Sequence, residues 1–242
     1  MSINRVLYSL GVLLCIATQS ALAQSKYEEA DRLFSTGELE NYRKAGELYA
    51  HSLEQTPKDF EAAWKAARAY REYAQNSKEQ ELTDWKSICQ KYGKLGMEFG
   101  EKAIGLNPEA IEGHFWYGCS VGNYSDGVSI VTALREGLKN KTQLGLEKSY
   151  EIDRQYKDGG PIKALGRFWF VLPWPLTDKE KSLKYLREHQ QLFPEDEEGQ
   201  VFLAEVLINR KETAQAKELL EKAAKSDRAY YAKWAKRLLS EL

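Results

Sequence analysis

Residues 45–57 read Ala-Gly-Glu-Leu-Tyr-Ala-His-Ser-Leu-Glu-Gln-Thr-Pro, and the spacing inside that stretch recurs along the chain. A small residue, Ala45, is followed seven positions later by Ser52 and five after that by Pro57. Gly96, Ala103 and Pro108 repeat the pattern, and Ser182, His189 and Pro194 repeat it with a larger middle residue. Three of the six prolines therefore sit at one phase of one motif. A proline just past a helix stops it, because it lacks an N–H and disfavours α geometry in the residue before it. Residues seven apart lie two turns apart on one helix face, where small side chains let a second helix come close. A phased helix-then-stop pattern predicts a helical repeat array.

Carrying the phase forward finds two weaker endings, Thr142–Ser149–Arg154 and Ala216–Ala223–Arg228. The stops at 57, 108, 154, 194 and 228 are spaced by 51, 46, 40 and 34, and the last interval is that of a tetratricopeptide repeat. The three proline stops also place a small residue on the first helix of the following pair, and positions 67, 118 and 204 hold Ala67, Gly118 and Ala204. The expectation is an all-α stack of tetratricopeptide-type hairpins, an α-α superhelix of about five degenerate repeats over residues 24–242. Its expected helices are 26–36, 41–55, 60–75, 80–105, 109–122, 128–152, 158–170, 178–192, 196–209, 212–226 and 228–241. Leu172-Pro173-Trp174-Pro175 and Gly122–Gly127 read as irregular loops. The last helix, with Tyr230, Tyr231, Trp234 and Leu238, reads as a cap on the open end.

The first 23 residues read as a secretory signal: Arg5, an apolar run from Val6 to Thr18, then Ala21-Leu22-Ala23 as a small–x–small cleavage site. That run is too short to span a bilayer, so the expectation is export to the periplasm with no membrane span. Leu14 sits before Cys15 where a lipobox needs a small residue, which argues against lipoprotein anchoring. The net charge of −1 suggests no nucleic-acid partner. Cys89 and Cys119 fall on adjacent antiparallel helices, 19 residues before and 11 after the turn at Pro108. The axial offset of roughly 10 Å exceeds the reach of a disulfide, so two free thiols are expected.

At His114-Phe115-Trp116-Tyr117-Gly118 and Gly122-Asn123-Tyr124 the chain resembles more than generic repeats. With Ile152-Asp153, Gly159-Gly160-Pro161, Ala164-Leu165-Gly166, the Leu-Pro-Trp-Pro loop and Phe202–Val206, it resembles the T-component family associated with TRAP (tripartite ATP-independent periplasmic) transporters. That resemblance implies a groove in the helical stack and cooperation with a periplasmic solute-binding protein. A more distant resemblance, over the same segment, is to microtubule-associated tetratricopeptide proteins; the export signal argues against that role.

By analogy with such stacks, the first helix of each pair lines the concave surface. The resulting ligand-binding set is Trp64, Arg68, His114, Phe115, Asn123, Phe168 and Trp169. Arg68 would clamp a carboxylate, and Trp64, Phe115 and Trp169 would form an apolar wall for a small hydrophobic or carboxylate-bearing ligand. The same three aromatics would serve equally as packing between helices. No cofactor, metal motif or catalytic signature is evident: His51, His114 and His189 lie in different repeats, and His189 occupies a helix-crossing phase. The functions that fit are a ligand-holding scaffold beside a TRAP-type uptake system, or an adaptor in the cell envelope that binds protein segments. A homo-oligomer is compatible with either.

Overall fold

A computed structural model describes residues 27–242, so the expected signal segment lies outside the described residues. Helix α1 covers residues 27–35. It is followed by α2 (Leu39–Gln55), α3 (Phe60–Glu79), α4 (Trp85–Leu106), α5 (Ile111–Gly127), α6 (Ile130–Arg135) and α7 (Leu138–Asp153). The chain continues through α8 (Tyr156–Val171), α9 (Lys179–Leu192), α10 (Glu197–Asn209), α11 (Thr213–Ala223) and α12 (Ala229–Ser240). Among the described residues there is no strand. Successive helices pack as hairpins, α1 with α2, α3 with α4, α5 with α7, α8 with α9, and α10 with α11, and α12 packs on the last of them.

The local chemistry explains the punctuation. Helices α2, α4 and α9 end two residues before Pro57, Pro108 and Pro194. Two residues after Pro57 and Pro194 come Asp59 and Asp196, whose carboxylates accept from the backbone N–H of Ala62 (3.0 Å) and Gly199 (2.9 Å). Proline thus closes one helix while the aspartate opens the next. The spaced small residues lie where helices cross: Ala45, Ala103, Ser149, Ser182, His189 and Ala216 are fully buried, and Ser52, Thr142 and Ala223 nearly so. Ala67 and Ala204 are also fully buried. At Gly118, a Cβ would lie 3.0 Å from the Leu146 side chain. These contacts leave no room for larger residues.

Three expectations need correction. Residues 122–127, expected as a loop, continue α5 to Gly127, because α5 is pressed along its length against α4. The helix expected over 128–152 is split into α6 and α7 by Gly137, whose φ of +65° is left-handed and freely reached only by glycine. Helix α4 starts at Trp85 rather than 80. At the start of α8, Lys157, Asp158 and Gly159 carry φ of 51°, 55° and 72°, so the regular helix begins only at Gly160. The 172–175 loop is irregular, and Cys89 and Cys119 are free. Among the described residues, no helix is long and apolar enough to cross a membrane.

The superhelix curls far enough that its last helix meets the end of α3. The Tyr231 hydroxyl of α12 donates to Glu79 at the end of α3 (3.0 Å), and Lys233 pairs with Glu81 (2.6 Å). Helix α12 is therefore more than a cap on the stack. It joins the first half of the array across the concave side.

Candidate functional site

The concave side encloses a groove of about 1200 Å³. Its walls are the first helices of successive hairpins, completed by α12, by α6 and by the end of α8 with the loop that follows it. Arg68, Arg71, Glu72 and Gln75 come from α3; Phe115, Trp116, Cys119 and Asn123 from α5; Lys163, Arg167 and Phe168 from α8. Glu198 and Phe202 come from α10, and Tyr230, Tyr231 and Trp234 from α12. Nine Lys or Arg and five Asp or Glu line the groove, whereas the whole chain carries a net charge of −1. The cationic excess is therefore concentrated inside the concavity.

Two kinds of cation face it. Lys163 is answered twice, by Asp196 and Glu198, each at 2.9 Å. Burial alone would raise the Glu198 pKa, but Lys163, Arg228 and Arg71 together bring it down to about 2. The Lys163 ammonium is disfavoured by burial, yet Glu198 and Asp196 hold its pKa above the ordinary value. This cluster is self-neutralising. His189, beneath it, is fully buried, lies 3.1 Å from the Asp158 carbonyl oxygen, and is kept neutral by burial and by Lys163.

Arg68 is different. Its guanidinium carbon lies 3.9 Å from the Phe34 ring centroid and 5.0 Å from that of Trp64, and the group reaches the Tyr49 hydroxyl. No carboxylate among the described residues pairs with it, and its buried Nε–H has no hydrogen-bond partner. Nε–H of Arg71 and Nε1–H of Trp234 are likewise buried and unpartnered on the groove wall. Each such donor is costly until an acceptor meets it, by about 1–3 kcal/mol. Burial pushes the Cys119 thiol up to about 11 against the pull of Arg71, so it stays protonated at neutral pH.

Of the residues expected to bind ligand, Arg68, Phe115, Asn123 and Phe168 line the groove and are brought together there. Asn123 donates to Gln75 (3.0 Å) and leaves its Oδ1 unpartnered. Trp64, His114 and Trp169 do not line it. Trp64 sits behind Arg68 in the helix packing. The His114 ring lies 2.8 Å from the Pro108 carbonyl oxygen and fastens the α4–α5 turn. Trp169 is buried in the core with Leu146 and Leu165, between Lys139 (5.4 Å) and Lys181 (4.1 Å), while Lys163, Arg167 and Phe168 of α8 line the groove. The contributions of α12, and of Phe34 and Tyr42, had no sequence signal beyond their aromatic character. Among the described residues, no group of His, Cys, Asp and Glu is arranged to hold a metal ion.

Fold and groove together define a tetratricopeptide-type helical repeat protein. Solved structures agree: the thermophilic TPR protein TTC0263 of Thermus thermophilus superposes with a TM-score of 0.64 at 17% identity, covering 90% of this chain and 99% of that one. YrrB, a TPR protein with an unusual peptide-binding site, gives 0.52 at 15% identity, covering 93% and 97%. The family model for Regulator of microtubule dynamics protein 1-3 matches residues 26–172, and the chain belongs to that family. Among curated relatives, Regulator of microtubule dynamics protein 1 of Pongo abelii is 25% identical over 191 residues, covering 72% of this chain and 56% of its own length. The Bos taurus protein of that name is 25% identical over 202 residues, covering 77% and 59%. The chain thus spans a little over half the length of these relatives.

Proposed function

We propose that this chain is a non-enzymatic scaffold whose concave groove holds the acidic end of an elongated, partly apolar guest. The observation that carries the reading is Arg68: a guanidinium fixed between two rings, unanswered by any carboxylate among the described residues, in a groove with an excess of cations. A carboxylate would meet Arg68 and the unpartnered N–H of Arg71, while Phe115 and Phe168 supply apolar wall. Native mass spectrometry of freshly purified protein tests this directly. A retained acidic guest, diminished in Arg68→Ala, is the expected result. Bare protein that also fails to bind both an acidic peptide and a long-chain carboxylate in titration would sink it.

Two identities for the guest follow from different observations. The N-terminal apolar segment and the ordered T-component motifs support an exported protein serving a TRAP-type uptake system with its solute-binding protein. Membership in a family named for microtubule dynamics, and likeness to a fold neighbour described by its peptide-binding site, support a protein segment as guest. Affinity capture with the tagged full chain separates them. Recovery of a solute-binding protein favours the first, and capture of acidic protein segments that Arg68→Ala abolishes favours the second.

A further inference from the structure

The groove wall between α3 and α5 holds an acceptor that no donor among the described residues answers. Asn123 is 4% exposed and borders the groove, and its Oδ1 is buried with no hydrogen-bond partner. A relay of side chains fixes which end of that amide is left over. The Glu79 carboxylate, 3.8 Å from Arg228 and met by the Tyr231 hydroxyl, can only accept. Gln75 therefore turns its NH2 to Glu79 (2.9 Å) and its Oε1 to Asn123, which donates to it (3.0 Å). Asn123 is thus left with an oxygen rather than an N–H, and a buried oxygen without a donor is costly. The wall beside it is hollow. Gly122 lines the groove, and a Cβ added there would meet nothing within 4 Å. Gln75 lies one turn beyond Arg71 on α3, so the acceptor is offset by roughly 6 Å of helix rise from the guanidinium whose Nε–H is unpartnered.

We infer that the groove selects acids carrying an amide N–H close to the carboxylate, as a peptide C-terminus or an N-acylated amino acid does, over plain carboxylic acids. The inference rests on the Arg68 reading and adds a second contact to it. With the carboxylate on Arg68 and Arg71, the N–H of such a guest reaches Asn123 Oδ1, and the hollow at Gly122 admits its backbone. A plain fatty acid brings only methylenes to the same point. It leaves the oxygen unanswered, so the difference appears as affinity.

The test is calorimetric titration of the full chain with decanoylglycine and with decanoylglycolate, in which an ester oxygen replaces the N–H and nothing else changes. The amide should bind at least about tenfold more tightly than the ester. In Asn123→Ala that preference should collapse to within about twofold, because the acceptor is gone. Gly122→Ala should weaken decanoylglycine by about tenfold. Its thermal melt should not fall, so the loss reports the filled hollow rather than misfolding. Acetyl-tetraalanine with a free C-terminus separates the two sources: binding tighter than that of decanoylglycine assigns the site to a peptide C-terminus, and the reverse order to an acylated amino acid. Equal affinities for amide and ester in the parent overturn the inference and leave the Arg68 reading standing. So does a preference that survives Asn123→Ala. Failure of decanoate, decanoylglycine and acetyl-tetraalanine alike to bind sinks both.

Discussion

Arg68 and Lys163 face the same groove, yet their removal should have opposite consequences. Arg68 has no ion pair to lose, only its stacking on Phe34 and Trp64 and its contact with the Tyr49 hydroxyl, so Arg68→Ala should cost about 1–2 kcal/mol of stability while weakening retention of an acidic guest. Lys163→Met leaves Asp196 and Glu198 partly unanswered in a half-buried site, which should cost about 3 kcal/mol at neutral pH. The pH dependence gives a second reading of the same cluster. Glu198 is depressed to about 2 in the folded chain against an ordinary 4.5, so its stabilisation is complete above pH 4.5 and is lost as pH falls towards 2. Urea melts of the parent and Lys163→Met at pH 7, 4.5 and 3 should therefore converge as the carboxylates protonate. A penalty undiminished at pH 3 would mean that Lys163 matters for packing rather than for charge.

At the scale of the helix, glycine separates crossing points from open faces. On α4, a Cβ at Gly93 would lie 2.5 Å from the backbone nitrogen of Tyr124, so Gly93→Ala must push α5 away and should cost roughly 2–3 kcal/mol. Gly122, inside α5 and facing the groove, would have nothing within 4 Å of an added methyl, so Gly122→Ala should stabilise by about 0.5–1 kcal/mol. Chemical denaturation of the two variants checks both signs. The small residues seven apart were legible because close approach of two helices excludes bulk at fixed turns, whatever the fold's curvature. The end of α5 was not: Gly122, Asn123, Ser125 and Gly127 favour a loop locally, and packing on α4 overrides that preference. On α8, Phe168 lines the groove and its neighbour Trp169 does not, for a related reason. Three left-handed residues before Gly160 shift the helix phase, and neither Lys157 nor Asp158 announces such a conformation.

For the whole molecule, Arg68, Phe115, Asn123 and Phe168 could be placed on the concave wall because repeat phase decides which face of a first helix turns inward. The α12 wall could not, because contacts between residues 152 apart depend on rotation accumulated over the entire array. That closure is testable without disturbing the core. Tyr231 is 1% exposed, and its ring packs on Phe202 and Trp234, so Tyr231→Phe keeps the packing and removes only the hydroxyl, which meets Glu79 and also reaches Glu198. The cost should be about 1 kcal/mol. It should also be local, since Gln75 still donates to Glu79 and Lys233 still reaches Glu81. Hydrogen exchange should accelerate at the end of α3 and the start of α12 while the amides of α4 and α5 keep their protection. Acceleration spread evenly along the chain would show that the closed stack behaves as one cooperative unit, and no acceleration at all would mean that α12 and the end of α3 do not hold each other.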